Sequence, residues 1–360
     1  MFPYSSERAA HQARKLLRTA SRVLGTADPS AAVGVLLDDA LPLPPGHPSY
    51  GRRHAFEPRF AETAGGTLAF SVHVPEDGPA GSGGVRAASH EVRGLLGNNF
   101  GRKAVWWFDR TTDGVGLGSR EDDATVISAF DRDGFREAQV TYRWGPSFTD
   151  AMPDTARRVT ETVLSNVPGA SPAFTTLRAA RQSGSQSITF RLDSELPLAA
   201  LAPMMDQLGL GVRHQSLVTA VAFILGARYT LPPGCALLTF RPTRLGLELR
   251  LDVDLELVPG LPDNIADLIA LELSERPRSL RSLEQWVAAF SGEPNESPGS
   301  LSVMSVTVRP DMPARLSLYI RPRVVTGESV TPATPPSPVS VPRPPDFSPS
   351  PALAGTAAWR

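Results

Sequence analysis

Residues 247–257 (LELRLDVDLEL) alternate apolar and charged side chains without interruption over eleven positions. A period of two is the side-chain period of a β-strand, so the leucines and Val253 share one face and the charged residues share the other. The apolar face must be covered by another layer of structure, and the charged face must meet water or other charges. The segment therefore predicts a sheet with helices on one side and polar groups on the other.

The same unit, two strands followed by helical spacing, recurs along the chain. The clearest hairpins are predicted at 236–241 with 247–257 and at 301–308 with 314–321. Weaker hairpins pair 175–181 with 186–193, 126–130 with 138–144, and 103–108 with 114–118. Helices are predicted near 89–96 and over 156–165, 197–208, 216–227, 264–273 and 282–290. The strand predicted near 67–74 has no identifiable partner.

Two architectures satisfy this pattern. An open antiparallel sheet would have helices on one side and water on the other. A closed antiparallel barrel would place the helices outside and polar side chains in a wet lumen. Closure removes the edges that so large a sheet must otherwise protect, and about ten strands leave space for a ligand. We therefore expect an α+β fold: a closed antiparallel β-barrel of about ten strands, built from ββα repeats.

Three regions are predicted along the chain: an N-terminal helical segment and loop over 1–60, the barrel over 61–325, and a tail over 326–360. Nine prolines fall between Pro332 and Pro351, which is typical of a disordered, partly polyproline extension. The N-terminus has an amphipathic helical pattern rather than a secretory signal. The longest apolar stretch, 217–225, is too short to span a bilayer. We expect a cytoplasmic protein without a membrane partner.

The charge composition limits the partners. The chain has 36 basic and 37 acidic residues and a net charge of −1, so no basic field favours nucleic acid. Lys15 and Lys103 are the only lysines, and the other 34 basic residues are arginine. Any anion site must therefore be built from guanidinium groups. The single cysteine, Cys235, excludes an intrachain disulfide and a cysteine-based metal site, and we expect a buried structural thiol.

Strand register assigns arginines from six strands to the polar face, together with Tyr319. They are Arg143, Arg191, Arg241, Arg250, Arg309 and Arg321. In one interpretation they bind an anion such as a diphosphate, because guanidinium forks fit phosphate oxygens without a metal. In the other they pair with carboxylates on the same face. The candidate partners are Asp193, Glu248, Asp252, Asp254 and Glu256. The arginines around Asp252 and Asp254 disfavour a metal at that pair, so no metal site is predicted.

The repeat pattern and residues 306–322 (VTVRPDMPARLSLYIRP) resemble the soluble aromatic prenyltransferases with the α-β-β-α (ABBA) barrel, including their indole and cyanobactin-peptide branches. The resemblance of repeats covers roughly residues 60–325. It implies a barrel lumen that binds an allylic diphosphate and alkylates an aromatic small molecule or peptide, without Mg²⁺ or another cofactor. At its motif positions lie Arg315, Ser317, where the family often has a lysine, and Tyr319. The family's acceptor-orienting glutamate has no certain counterpart; Glu62 and Glu76 lie nearby.

The resemblance also implies roles for residues of this chain. The diphosphate would be held by Arg315, Tyr319 and the six inward arginines. An aromatic shield for the allyl cation would come from Trp106, Trp107, Tyr142 and Trp144, the last two on the face predicted to point outward. Glu248 and Asp252 are the candidate catalytic carboxylates that take the acceptor's proton. The alternative is a non-catalytic binding or scaffold protein with an ion-paired lumen, whose proline-rich tail serves as a partner ligand.

Overall fold

The structure, a computed structural model, describes residues 6–41, 56–75, 84–114, 123–145, 148, 152–181, 183–291 and 298–322. These residues fall within the unit Met1–Gly327. The predicted tail at 326–360 and the candidate Glu76 lie outside the described residues. The helices are α1 Ser6–Leu24, α2 Gly34–Ala40, α3 Gly84–Phe100, α4 Arg102–Gly114, α5 Asp154–Asn166, α6 Ala202–Gln207, α7 His214–Ile224, α8 Ile265–Ser274 and α9 Pro277–Phe290.

The strands comprise five long hairpins and one short pair. They are β1 Phe56–Ala61, β2 Leu68–Val74, β3 Ala124–Asp131, β4 Gly134–Arg143, β5 Ala170–Ala180, β6 Ser183–Leu192, β7 Leu196–Pro197, β8 Thr230–Leu231, β9 Ala236–Thr243, β10 Gly246–Asp254, β11 Gly299–Arg309 and β12 Met312–Pro322. Ten of them close into one antiparallel barrel in the order β1-β12-β11-β10-β9-β6-β5-β4-β3-β2. The predicted closed barrel is confirmed, and the open sheet is wrong.

The strand that closes the barrel, β1, is the one that sequence analysis did not identify. β1 pairs with β2 and with β12, where Arg59 lies opposite Tyr319. Its sequence, FEPRFA, is short and carries Pro58, and a proline inside a strand argues against that assignment. The barrel therefore begins at Phe56, within the segment predicted as an N-terminal loop.

The helices cover the apolar outer face of the barrel. Leu249, Leu251 and Val253 of β10 are buried, and α3 and α7 pack against the strands from outside. Because the outer face is sealed in this way, the polar side chains of each strand point into the lumen, as the alternation predicts.

Two predicted segments differ in the structure. Residues 103–108, predicted as a strand, belong to α4, where Phe108 and Thr112 are buried at helical spacing. The alternating segment 247–257 leaves the strand after Asp254. There the Asp254 carboxylate accepts a hydrogen bond from the Glu256 backbone N–H at 3.1 Å, and this bond caps a single 3₁₀ turn over Leu255–Leu257.

The contact between β6 and β9 is a narrow part of the barrel wall. The strands share four residue pairs, and on the outer face Phe190 and Phe240 pack edge to face with centroids 6.0 Å apart. Both rings are buried. We expect Phe190→Ala to lower the free energy of unfolding by about 3–5 kcal/mol, measured by urea denaturation. The exposed Val212→Ala should change it by less than about 0.5 kcal/mol; equal effects would contradict this account of the wall.

Candidate active site

The lumen is divided into two cavities that meet at Arg250. The larger cavity, about 670 Å³, lies where β2, β4, β6, β10 and β12 end. The smaller cavity, about 310 Å³, lies at the opposite end, near the hairpin turns. Arg250, in the middle of β10, borders both cavities. The single polar surface predicted from strand register is therefore two surfaces with different side chains.

Arginines dominate the wall of the smaller cavity. They are Arg59, Arg178, Arg241, Arg250, Arg309 and Arg315. Among the described residues that line this cavity, the one carboxylate is Glu248, which pairs with Arg241 at 2.7 Å. Arg59 and Arg178 were not predicted, because β1 was not recognised and the register of β5 was not assigned. This density of guanidinium groups suits the oxygens of a phosphate or diphosphate.

Carboxylates behind this wall neutralise part of its charge. Glu137 of β4 forms an ion pair with Arg178, and Asp311 lies 3.1 Å from Arg309. Burial alone would raise the pKa of Glu137, but Arg178, with help from Gln139, outweighs burial and holds that pKa below its usual value. Glu137 therefore keeps its charge and fixes the Arg178 guanidinium.

Glu62 anchors the rim of the smaller cavity. Its side chain, 2% exposed, lies 2.9 Å from the Arg276 guanidinium and 3.6 Å from that of Arg315. It also accepts hydrogen bonds from the Leu316 backbone N–H and the Ser279 hydroxyl, both at 3.1 Å. The candidate acceptor-orienting Glu62 is thus occupied in joining β12 to α9.

Glu62→Gln should lower the free energy of unfolding by about 2–4 kcal/mol, measured by urea denaturation. Breaking a fully buried ion pair costs about 3–5 kcal/mol, and here the two arginines keep a quarter of their side chains in water. Asp38→Asn, which removes an exposed carboxylate paired with Arg14, is the matched control and should cost less than about 1 kcal/mol. Equal losses in the two variants would contradict the anchoring role.

The larger cavity has a mixed wall. Arg143, Arg191 and Arg321 line it together with Glu57, Asp252 and Asp254. Arg191 pairs with Asp193 at 2.6 Å, and the Arg321 guanidinium donates to Glu256 at 2.6 Å. Arginines and carboxylates nearly balance in this cavity, so it is much less positive than the smaller one.

Glu57 is a site residue that sequence analysis missed. It projects from β1 into the larger cavity. Burial raises the pKa of Glu57 to about 7, although the nearby Ser302 hydroxyl and the charge of Arg321 favour its ionised form. A carboxyl group that titrates near neutral pH can accept a hydrogen bond or a proton from a bound molecule. The only available signal was the alternation of Glu57 and Arg59 within the unrecognised strand.

The structure corrects three of the four aromatic candidates. Tyr142 is buried on the outer face, with its hydroxyl 3.0 Å from that of Ser89 in α3. Trp107 belongs to α4 and packs outside the barrel, against Gly184 at the start of β6. Trp106 also lies on α4 and is 58% exposed. Their helix or strand face points them away from the lumen, so they cannot shield a ligand there.

The aromatic side chains inside the lumen are a different set. Trp144, just beyond β4, lines the larger cavity although strand register predicted that it points outward, and Phe174 of β5 joins it. Tyr319 is buried on the inward face of β12, and the Arg59 guanidinium lies 5.6 Å from the centre of its ring. Of these rings, Trp144 and Phe174 line a cavity that can hold a ligand, whereas Tyr319 lies buried beside Arg59.

The two predicted catalytic carboxylates are separated by the division of the lumen. Glu248 lines the smaller cavity and is held by Arg241. Asp252 lines the larger cavity and lies 2.9 Å from Nε of Arg250. Burial alone would lower the pKa of Arg250, but Asp252 and Tyr319 raise it above its usual value, so its charge is permanent. Asp252 thus has a fixed cationic partner at the junction of the cavities.

Within the described residues, no group of three or more His, Cys, Asp or Glu side chains is placed to hold a metal ion. Cys235 is buried beside the larger cavity, and its thiol donates to the Pro232 carbonyl at 3.1 Å, as expected of a structural thiol. Among the residues that the structure describes, no helix has both the length and the apolar character needed to cross a membrane.

The fold is similar to that of solved aromatic prenyltransferases. 5-Dimethylallyltryptophan synthase from Streptomyces coelicolor superposes with a TM-score of 0.62 at 15% identity, over 89% of this chain and 99% of that one. 6-Dimethylallyltryptophan synthase from Micromonospora olivasterospora, solved with DMASPP and Trp, gives 0.64 at 12% identity, over 88% and 98%. Prenyltransferase PriB in its apo form gives 0.62 at 16% identity, over 88% and 97%.

No protein-family model and no curated protein sequence matches the chain. The structural likeness nevertheless extends over nearly the full length of each of these enzymes. The chain has the ABBA-barrel fold of the aromatic prenyltransferases, which is the fold that the resemblance in residues 306–322 and the ββα repeats implied.

Proposed function

We propose that this chain transfers a prenyl group from an allylic diphosphate to an aromatic acceptor inside the barrel. The observation that carries the proposal is the cavity walled by six arginines, joined through Arg250 to a larger cavity that contains Glu57. Two solved proteins of the same fold are dimethylallyltryptophan synthases, and both have been solved in complex with DMASPP and Trp. The ligands of these enzymes motivate the proposal. The cavity-lining residues of this chain are the basis for assigning the two substrates to the two cavities.

The diphosphate belongs in the smaller cavity. When the carboxylates that pair with the lining arginines are included, the smaller cavity has six arginines against four carboxylates, whereas the larger cavity has four arginines against five. A dianionic or trianionic group is more favourable where the positive charge is in excess. Bidentate guanidinium contacts can neutralise the leaving diphosphate, so we propose that no metal ion is required. Arg143, Arg191 and Arg321 would then face the acceptor rather than the diphosphate.

The acceptor belongs in the larger cavity. Its volume of about 670 Å³ lies within the range of about 300–1,000 Å³ for small-molecule sites. Phe174 and Trp144 offer ring surfaces for an aromatic acceptor. Tyr319, whose ring lies 5.6 Å from the Arg59 guanidinium of the smaller cavity, would face the allyl group after a shift of its side chain, and cation–π attraction there is worth about 2 kcal/mol when desolvated. An aromatic small molecule and an aromatic residue of a peptide remain the two candidate acceptors.

The reaction is an electrophilic substitution. The allylic C–O bond breaks and its electron pair leaves with the diphosphate, while a π pair of the acceptor ring forms the new C–C bond. The ring carbon then loses its proton and recovers aromaticity. Glu57 is placed to accept a hydrogen bond from an N–H or O–H of the acceptor, which enriches the ring in electrons. Asp252 also faces the acceptor, whereas Glu248 holds Arg241 in the diphosphate cavity.

Calorimetric titration with dimethylallyl S-thiolodiphosphate tests the proposal. We expect micromolar affinity in the presence of EDTA and no gain on adding Mg²⁺. Incubation with dimethylallyl diphosphate and either L-tryptophan or a tryptophan-containing peptide should then give a prenylated product by mass spectrometry. Absence of thiolodiphosphate binding would overturn the proposal, and a requirement for Mg²⁺ would overturn its metal-independent form.

A second candidate function is supported by the ion pairs of the lumen. Arg178, Arg241, Arg250 and Arg321 each have a carboxylate partner, as a non-catalytic protein with an ion-paired lumen requires. Such a protein would bind neither the thiolodiphosphate nor inorganic pyrophosphate. The same titration therefore separates the two functions.

A further inference from the structure

Three polar side chains outside the proposed substrate contacts form a line in the wall of the larger cavity. His73 of β2 is 2% exposed, although it borders the cavity. Its Nδ1 lies 3.4 Å from the hydroxyl of Thr125 in β3. Its Nε2 lies 3.6 Å from a carboxylate oxygen of Asp123 and has no hydrogen-bond partner in the described part of the protein. The order Thr125, His73, Asp123 is that of a hydroxyl, an imidazole and a carboxylate.

The three side chains lead from the larger cavity to the open end of the barrel. Thr125 also borders the cavity, whereas the Asp123 side chain is 33% exposed and precedes β3 at the open end. Register places His73 directly opposite Thr125 in the β2–β3 ladder. On the other side of β2, Glu57 lies opposite Ser71, so His73 is its diagonal neighbour, roughly 7–8 Å away. A buried imidazole that makes only long contacts, to one hydroxyl and one carboxylate, contributes little to packing. It is well suited to proton transfer, because both ring nitrogens can bind or release a proton.

We propose that Thr125, His73 and Asp123 form a proton relay, which carries the proton released by the alkylated acceptor from the larger cavity to water. This inference rests on the proposed prenyl transfer and deepens it, since it assigns a route for the proton of the ring carbon. Glu57 keeps a separate role, because it binds the hydrogen of the acceptor's N–H or O–H group.

The relay balances over the whole chain of atoms, and it leaves His73 as the Nδ1–H tautomer, which returns to Nε2–H by proton exchange with water before the next turnover. The ring C–H bond breaks, its electron pair returns to the ring, and the proton goes to the Thr125 oxygen. That hydroxyl gives its own proton to Nδ1 of His73, and Nε2–H of His73 passes its proton to Asp123, which releases it to solvent. The direction requires that His73 begin as the Nε2–H tautomer, with Nδ1 accepting from Thr125. Looser contacts before substrate binds are usual in such arrangements.

The tautomer can be measured without an acceptor. Long-range ¹H–¹⁵N NMR spectra of the full chain should show His73 as the Nε2–H tautomer. Thr125→Val should shift the Nδ1 resonance, because it removes the bonded hydroxyl while keeping the shape of the side chain. Thr141→Val is the matched control: Thr141 lies opposite Thr125 in the β3–β4 ladder, and its hydroxyl bonds Thr176 instead. An Nδ1–H tautomer, or an Nδ1 resonance indifferent to Thr125→Val, would overturn the relay.

Kinetics with dimethylallyl diphosphate and L-tryptophan give the second measurement. Thr125→Val and His73→Gln should each lower kcat about 100-fold, the scale of positioned proton transfer, and the double variant should lose little more. Deuterium at the attacked ring carbon should then slow both variants, because proton loss has become rate-limiting. The exposed His90→Gln should keep wild-type kinetics. Additive losses without an isotope effect would indicate a structural role and overturn the relay.

The two proposals can fail separately. Loss of thiolodiphosphate binding in the wild-type protein would remove the proposed function, whereas the tautomer measurement judges the relay by itself. Circular dichroism of each variant separates a loss of folding from a loss of the relay.

Discussion

Arg59→Gln is expected to weaken the binding of dimethylallyl S-thiolodiphosphate about 10–100-fold while leaving the protein folded. Arg59 lines the smaller cavity, and its Nε has no hydrogen-bond partner within the described residues. Its guanidinium lies 5.6 Å from the centre of the Tyr319 ring. Unlike Arg241 or Arg178, it can therefore be removed without leaving a buried carboxylate unpaired. A hydrogen bond to a charged group is worth about 1.5–3 kcal/mol, which sets the size of the loss.

Two controls sharpen this result. Arg158→Gln removes an exposed guanidinium from α5, outside the barrel, and should leave the affinity unchanged. The salt dependence should also fall in Arg59→Gln, because one fewer positive charge faces the ligand. Unaltered affinity in Arg59→Gln, with Arg191→Gln weakening binding instead, would move the diphosphate to the larger cavity.

The barrel could be predicted because its signal is local. The alternation in residues 247–257 fixes which side chains face the lumen, and this rule placed Arg143, Arg191, Arg241, Arg250, Arg309 and Arg321 on that surface, which the structure confirms. The register of Arg315 and Tyr319 followed in the same way. β1 has six residues and contains Pro58, so its alternation is too short to identify a strand. Because β1 was not recognised, Arg59 and Glu57 were not assigned to the lumen.

The arrangement within the lumen depends on which strands are neighbours in the barrel. The alternation of apolar and polar residues along one strand does not reveal this. Strand order decides that Arg250 borders both cavities and that Glu248 and Asp252 face different ones. Likewise, His73 and Thr125 are 52 residues apart in sequence and meet only because β2 pairs with β3. The aromatic candidates on α4 were misplaced for another reason: residues 103–108 were assigned to a strand, whereas the buried positions Phe108 and Thr112 follow helical spacing.

Glu57→Gln is expected to stabilise the protein at pH 8 and to remove most of its prenyl transfer. In the folded chain burial raises the pKa of Glu57 from 4.5 to about 7. Between these values the unfolded chain is already ionised and the folded chain is not, so rising pH favours unfolding. The stability present below pH 4.5 is lost as pH rises to about 7, a difference of about 3 kcal/mol. Glutamine cannot ionise and escapes this loss.

Urea denaturation at pH 4.5, 6, 7 and 8 measures the effect as the difference between Glu57→Gln and wild type. The difference should be near zero at pH 4.5 and reach about 3 kcal/mol in favour of the variant at pH 8. Glu161→Gln, an exposed change on α5, should follow the wild-type curve. Parallel curves for Glu57→Gln and wild type would contradict the buried, neutral carboxyl.

Catalysis should respond in the opposite sense, because only the ionised carboxylate of Glu57 accepts strongly from the acceptor. Wild-type kcat/KM with L-tryptophan should rise with pH through about 7, and this rise should disappear in Glu57→Gln, whose rate falls about 100-fold or more. Thiolodiphosphate affinity should be retained, since Glu57 borders the other cavity. Glu57→Gln should therefore gain stability and keep its donor site while it loses turnover. That combination would show that the burial of the Glu57 carboxyl assists the reaction and lowers the stability of the fold.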